Sequence, residues 1–226
     1  MKAIIFDSGT LISLSMNGLL DELEKLKKIF DGKFLITKDV KREVVDKPIT
    51  IKRFELEALR IRKLIDDKVL EMPNSLEINE NELIKQIENI KNITNSTFVG
   101  DGREIHLIDS GEASCLALSL LLNEKKIKNV VAVDERTTRL LCENPENLKK
   151  IMEHKLHTKI QSKKENYKYF NGIKIIRSVE LIYIAHKKGL IKIKDGKLVL
   201  DALLWALKLK GCSISDAEIN EMKNLK

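Results

Sequence analysis

Hydrophobic residues in this chain fall into short apolar runs, separated by longer segments in which they recur at helical spacing. Five of the runs are rich in branched or aromatic residues and are bounded by polar ones, as buried parallel strands are. We predict strands at residues 3–6, 34–36, 69–72, 130–133 and 173–176. Strands that alternate with helices predict an α/β fold with a central, mostly parallel five-stranded sheet.

The segments between these strands show the periodicity of amphipathic helices. Predicted helices cover residues 11–30, 37–46, 51–67, 79–93, 112–125, 135–142 and 178–188, and Gly189 ends the last of these. A hairpin is predicted at residues 190–200, with its turn at Asp195-Gly196, and two closing helices follow. Ser213 or Ser215 is the candidate N-cap of the final helix. The chain is thus predicted to form one domain, residues 1–226, with a C-terminal helical extension at about 201–226.

Residues 143–172 interrupt the alternation of strands and helices and are interpreted as an insertion. The segment is rich in lysine and also carries tyrosine, phenylalanine and histidine. One interpretation is an ordinary solvated helix and loop. The other is a basic arm that binds a phosphate backbone, with aromatic rings that stack on bases. The candidate lysines are Lys149, Lys150, Lys155, Lys159, Lys163 and Lys164.

The composition of the chain indicates the kind of partner it binds and excludes some classes of protein. The 226 residues carry a formal net charge of +7, which favours a polyanionic partner. The three cysteines form no Cys-x-x-Cys pair, so neither a zinc ribbon nor a disulfide framework is expected, and a reducing cytoplasm is the expected compartment. No apolar run approaches the roughly 20 residues that cross a bilayer, so no membrane association is expected.

Four acidic residues occupy positions at which an α/β protein presents its ligands. Asp7 follows the first strand and Asp134 follows residues 130–133, while Glu43 and Glu112 lie on helices. The carboxyl ends of parallel strands share one edge of a sheet, where these side chains could meet. Each also has an ordinary structural interpretation as a turn former, a surface charge or, with the Asp-x-x-Glu spacing of Asp109 and Glu112, a capping box.

Converging carboxylates repel one another unless a cation neutralises them, so the pattern predicts a metal site. Oxygen ligands favour Mg²⁺ or Mn²⁺, and the bound waters of such an ion can attack a phosphodiester. Asp7, Glu43, Glu112 and Asp134 are the candidate catalytic residues and, with Asp109, the candidate metal ligands. Arg136 and Arg139, which follow Asp134 on a helix, are candidates for phosphate contacts or for ordinary salt bridges.

These residues together resemble the motifs of the PIN-domain family. Its first motif resembles Ile5-Phe6-Asp7-Ser8-Gly9-Thr10, and its later motifs resemble residues 37–44, Asp109-Ser110-Gly111-Glu112-Ala113 and Val133-Asp134-Glu135-Arg136. Residues 178–191 and 211–216 are similar to the C-terminal end of a toxin-related, archaeal or bacterial PIN subgroup. The resemblance implies a three-layer α/β/α fold and an Mg²⁺- or Mn²⁺-dependent endoribonuclease. RNA, an antitoxin-like protein and a second copy of the chain are the implied partners.

Two other functions stay open. A PIN-like fold could bind RNA or a protein through the basic segment without cutting. A phosphatase of the haloacid dehalogenase type is suggested by Phe6-Asp7-Ser8-Gly9-Thr10-Leu11, although the second aspartate of that signature is missing. Without this acid, the nucleophilic carboxylate would have no neighbouring proton donor, which favours the nuclease.

Overall fold

The strands and helices are described for residues 1–193 and 197–225 of a computed structural model. The strands are β1 (Lys2–Phe6), β2 (Lys33–Leu35), β3 (Phe98–Gly100), β4 (Arg103–Glu104), β5 (Lys128–Ala132), β6 (Ile160–Ser162) and β7 (Ile175–Ile176). The helices are α1 (Ser8–Met16), α2 (Leu20–Ile29), α3 (Lys38–Lys41), α4 (Glu55–Asp66), α5 (Glu80–Asn95), α6 (Ser110–Glu124), α7 (Arg136–Glu143), α8 (Pro145–Leu156), α9 (Ser178–Lys187), α10 (Lys197–Leu209) and α11 (Asp216–Asn224). A π-helical turn, Arg42–Asp46, continues α3.

The main sheet is parallel and has the strand order β2-β1-β5-β7, which confirms the α/β class. β1 lies between β2 and β5, with Ile5 opposite Leu35 and Phe6 opposite Ala132. Both faces of β1 are covered, so its last four residues are all buried. This pairing brings the carboxyl ends of β1, β2 and β5 to one edge of the sheet.

The strand predicted at residues 69–72 does not form, and the main sheet has four strands in the described part of the chain. Only Glu71 bridges to β2, in parallel with Leu35. The backbone N–H groups of Val69 and Leu70 instead donate to the Leu64 carbonyl at the end of α4. Pro73 follows directly and has no N–H to extend a ladder. The segment therefore lies beside β2 but has too few free donors to pair as a strand.

The helix predicted at residues 11–30 is divided into α1 and α2. Gly18 separates them with a φ of +69°, a left-handed conformation that glycine adopts without strain. The N–H of Leu19 donates to the carbonyl of Leu14, which closes the turn. The other helices predicted up to residue 188 are present, although α4 begins later than predicted, at Glu55.

The predicted hairpin at residues 190–200 is wrong in its second half. Residues 198–200 lie in α10, and the proposed turn at Asp195-Gly196 is outside the described residues. Val199, Leu200, Leu203, Leu204 and Leu207 are buried at helical spacing, and they join the main core. Burial of one helical face explains why this segment is a helix and not a strand.

The C-terminal helix α10 packs against α9 and α11. Ser215 is the N-cap of α11, as predicted, and accepts a hydrogen bond from the Glu218 N–H. The largely buried Arg177 pairs with Glu180 at the start of α9 and with Glu218 of α11, the latter at 2.9 Å. Burial raises the pKa of Glu218, but hydrogen bonds from Ser215 and the Arg177 charge outweigh it and hold this pKa at about 2. No described helix is long and apolar enough to cross a bilayer.

A second, antiparallel sheet was not predicted. Its order is β4-β3-β6, and β6 comes from the segment interpreted as an insertion. The turn between β3 and β4 contains Asp101 and Gly102, both with positive φ. This Asp-Gly pair is a typical hairpin signal that the sequence did contain.

The basic segment is therefore partly integrated into the fold. With α7 and β3 it buries a separate hydrophobic cluster, here called the small-sheet cluster, which consists of Phe98, Leu140, Leu141, Leu148, Met152, Ile160 and Phe170. Lysines of the segment lie on the outside of α8 and the following residues, while its apolar side chains point inward. A free arm is excluded for α8 and β6, although their outer surface still presents positive charge.

Truncation of Phe98 should expose how much stability this cluster contributes. Phe98 is fully buried, so Phe98→Ala should lower the free energy of unfolding by about 3–5 kcal/mol through lost burial and a cavity. Urea denaturation followed by circular dichroism measures the change. Leu156→Ala, at an exposed position of α8, is the matched control and should change stability little. Equal effects of the two substitutions would contradict the integration of the small sheet.

Candidate functional site

Asp7 lies directly after β1 and is the N-cap of α1. Its Oδ2 accepts a hydrogen bond from the Gly9 N–H at 3.1 Å, whereas its buried Oδ1 has no hydrogen-bond partner among the described residues. Burial and the charges of Glu112 and Glu43 raise the pKa of Asp7 to about 7, although the Gly9 and Ser8 N–H groups oppose this. An unpaired buried carboxylate oxygen is costly unless it has a ligand.

Glu112 lies in the first turn of α6, and two donors orient its side chain. Its Oε2 accepts from the Asp109 N–H at 2.9 Å, and its Oε1 accepts from the Thr138 hydroxyl of α7 at 2.9 Å. The hydrogen bond from the Asp109 N–H to Glu112 is one half of the predicted capping box. Burial raises the pKa of Glu112, the two hydrogen bonds lower it, and the charges of Glu135 and Asp109 raise it again.

Glu43 reaches the same edge of the sheet from the π-helical turn. A β-carbon built on Gly111 would lie only 2.5 Å from Glu43 Oε2, so the carboxylate occupies the space that this glycine leaves open. Gly111 and Glu112 are adjacent in α6. Glu43 therefore lies against the first turn of the helix that carries Glu112.

Hydrogen bonds between buried hydroxyls hold the start of α3 against α6. The Ser114 hydroxyl donates to the Gly111 carbonyl at 2.6 Å and lies 2.6 Å from the Thr37 hydroxyl. Since Ser114 has one hydroxyl proton, Thr37 donates to it, and Thr37 in turn accepts from the Val40 N–H. The start of α3 is thereby fixed to the first turn of α6, which positions Glu43 relative to Glu112.

Asp134 is buried two residues beyond β5 but is engaged differently. Its Oδ1 accepts from the Ser178 N–H and its Oδ2 from the Ser178 hydroxyl, each at 2.7 Å. Burial raises the pKa of Asp134, Ser178 and Cys212 lower it, and Glu180 raises it. Both oxygens thus bind the start of α9, while the neighbouring Glu135 caps α7 and acts electrostatically on Glu112.

Four of the carboxylates at this edge have no lysine or arginine partner in the part of the chain that the structure describes. None of the ion pairs found in residues 1–193 and 197–225 includes Asp7, Glu43, Glu112 or Asp134. The pKa values of Asp7 and Glu112 are raised, as expected for carboxylates that are buried near like charges. The arrangement favours binding of a cation or a proton.

The oxygen atoms at this edge are of the type that Mg²⁺ or Mn²⁺ prefers, but their positions do not yet form a metal site. Carboxylate oxygens, the open Oδ1 of Asp7 and the absence of a paired lysine or arginine suit Mg²⁺ or Mn²⁺. Within the described residues, however, no three His, Cys, Asp or Glu side chains already lie together as a metal-binding group. Ligation by Asp7, Glu43 and Glu112 would therefore need a rearrangement of these side chains.

Asp109, the remaining predicted ligand, is exposed at the edge of this acidic group. Its Oδ1 lies 3.0 Å from the Nε2 of His106, a residue that the sequence analysis did not select. Thr138 and Ser178 were also not selected, because a threonine inside a helix or a serine after a strand carries no spacing signal. Glu135 could have been found from its place beside Asp134.

The predicted phosphate-binding residues differ in their surroundings. Arg139 lies 3.8 Å from Glu218, and Lys149, Lys163 and Lys164 also have acidic partners. The other four are exposed and are in no ion pair within the described ranges: Arg136, Lys150, Lys155 and Lys159. These four are the cations most available to an external anion.

No protein-family model, curated protein or solved structure matches this chain. Functional assignment therefore rests on the chemistry of the acidic edge, and the likeness to PIN-domain motifs remains a resemblance.

The raised pKa of Asp7 predicts how stability depends on pH without metal. The unfolded carboxyl ionises near 3.8 and the folded one near 7, so ionisation in the folded state costs up to about 4 kcal/mol. The cost is absent below pH 4, grows between pH 4 and 7 and is complete above pH 7. Asp7→Asn should remove it, so the variant should be more stable than wild type at pH 8 but not at pH 4.

Thermal and urea unfolding in EDTA measure this difference, with Asp31→Asn, at a solvent-exposed position, as the control. The free energy of unfolding of Asp31→Asn should change with pH in the same way as that of wild type. If the free energy of unfolding of Asp7→Asn also changed with pH as that of wild type does, burial of an ionisable Asp7 would be contradicted.

Proposed function

We propose that this chain is a metal-dependent nuclease that hydrolyses RNA phosphodiester bonds at the acidic edge of its parallel sheet. The PIN fold and its three-layer arrangement are part of the proposal, with the Glu71 bridge beside β2 in place of a full fifth strand. The observation that carries it is the placement of Asp7, Glu43 and Glu112, three carboxylates from separate elements, at this edge with no basic partner among the described residues. A structural role alone gives no reason to bury like charges at one edge.

Asp7, Glu43 and Glu112 are the proposed ligands, with Asp109 at the exposed side. A bound Mg²⁺ or Mn²⁺ would polarise the scissile phosphate and lower the pKa of a water nucleophile. Asp7 offers its open Oδ1 to this site, and Glu112 is held in one orientation by Asp109 and Thr138. Since both Asp134 oxygens bind Ser178, Asp134 is proposed to position the end of β5 and thereby Glu135.

Nucleic acid is the proposed substrate because the chain is basic outside this acidic edge. The net charge is +7, although the site itself is acidic. Exposed cations on α7 and α8 can contact the phosphates that flank the scissile one. This distribution of charge fits a long polyanion better than a small phosphate ester, because a small ester in the acidic site could not contact a distant basic surface.

A binding module that does not cut is the second candidate function. It is favoured by one observation, that no complete metal-binding group is assembled among the described side chains. The phosphatase is less favoured because Gly9 stands where that mechanism needs its second acid.

Cleavage of labelled RNA with Mn²⁺, Mg²⁺ or EDTA tests the proposal. Wild type should cut in either metal and not in EDTA. Asp7→Asn should cut on the order of 100-fold more slowly or worse, since it removes an anionic ligand without loss of the Gly9 hydrogen bond. Asp31→Asn should cut at the wild-type rate. Intact RNA that is nonetheless bound would replace the nuclease with the binding module.

Gly111→Ala tests the position of Glu43 separately. The new β-carbon would displace the Glu43 carboxylate, which lies at the end of a flexible side chain, so the fold should tolerate it. We expect Mn²⁺ affinity to fall about 10-fold, while the free energy of unfolding changes by less than about 1 kcal/mol. Calorimetric titration and thermal melting measure the two quantities. Unchanged Mn²⁺ affinity would remove Glu43 from the ligand set.

A further inference from the structure

A groove of about 430 Å³ adjoins the acidic edge, between α1 and the start of α4. This α1–α4 groove is lined by Ile12, Met16, Glu43, Ile51, Phe54 and Ile61, with Lys47 and Arg53 beside them. Glu43 belongs both to the groove and to the acidic group. A molecule in the groove would therefore lie next to whatever the carboxylates bind.

Four apolar side chains of the groove are exposed to water. The exposed fractions are 40% for Ile12, 48% for Met16, 48% for Ile51 and 40% for Phe54. Clustered exposed apolar side chains mark binding surfaces, and the volume is in the range of small-molecule sites. The Phe54 ring adds a flat surface on which a planar group can stack.

The charged residues that line the groove are two cations, Lys47 and Arg53, and two carboxylates, Glu43 and Glu57, so an anion has two basic side chains to contact. Neither Lys47 nor Arg53 forms an ion pair within the part of the chain that the structure describes. The Arg53 guanidinium lies 5.4 Å from the centre of the Phe54 ring. An aromatic surface with free cations beside it is the arrangement that binds a base together with its phosphate.

We propose that the α1–α4 groove binds an unpaired base of single-stranded RNA next to the scissile phosphate. This inference rests on the proposed nuclease function and specifies its substrate. The base stacks on Phe54 among the apolar side chains, and Lys47 and Arg53 contact the adjoining phosphates. A base in a duplex is stacked and paired, so its faces cannot enter such a groove, and the site selects single-stranded segments.

Equilibrium binding of the full chain in EDTA tests the groove without cleavage. Fluorescence anisotropy compares a labelled single-stranded RNA with an abasic oligonucleotide of the same length. Phe54→Ala should weaken binding of the RNA about 5- to 100-fold and leave binding of the abasic strand unchanged. Phe54→Tyr, which keeps the ring, should restore affinity.

Leu56→Ala is the matched control, because Leu56 is 56% exposed and lies two residues away but does not line the groove. Leu56→Ala should bind both strands like wild type. The melting temperatures of all variants should lie within a few degrees of that of wild type. Lys47→Gln combined with Arg53→Gln should weaken binding of both strands and flatten its salt dependence. Equal affinities of Phe54→Ala and Leu56→Ala for the RNA would overturn the base site.

Cleavage in Mn²⁺ separates this result from the proposed function. If wild type cuts RNA but Phe54→Ala has an unchanged Kd and KM, the nuclease stands and the base site is overturned. If nothing is cut but binding depends on the Phe54 ring, the base site stands and the nuclease fails. If sedimentation shows a wild-type dimer that Phe54→Ala dissociates, the groove is a protein interface and the base site is likewise overturned.

Discussion

Burial of carboxylates without a basic partner is the constraint on which the candidate site depends. Asp7 is almost fully enclosed at the end of β1, and the charges of Glu112 and Glu43 act on it. Its ionised form is therefore costly in the folded protein, and the fold must supply that energy from its core. A bound cation would turn the same repulsion into binding energy.

The surrounding elements are arranged to keep these charges at one edge. The parallel pairing of β1 with β5 sets the register, and the hydroxyls of Thr37 and Ser114 join α3 to α6 across the site. Asp134 joins the end of β5 to the start of α9 through Ser178. Hydrogen bonds that are themselves buried hold short elements more rigidly than surface contacts would.

The small antiparallel sheet links the basic surface to the acidic edge. α7 carries Thr138, which donates to Glu112, and also Leu140 and Leu141, which lie in the small-sheet cluster. One helix thus contacts both the acidic group and the core beneath the basic α8. The proposed substrate would contact phosphate-binding cations on one side of the site and the α1–α4 groove on another, so the two surfaces would fix its path.

The sequence by itself determined the α/β class, most helices, and the strand-end positions of Asp7 and Asp134, because local periodicity and strand order reflect burial directly. Only the tertiary structure decided that β6 pairs with β3, since residues far apart in the chain supply that sheet. It also decided which oxygens are free: Asp134 accepts hydrogen bonds from Ser178, whereas Asp7 Oδ1 has no partner within residues 1–193 and 197–225. A side chain's hydrogen bonds depend on neighbours that packing brings together, and no spacing along the chain records them.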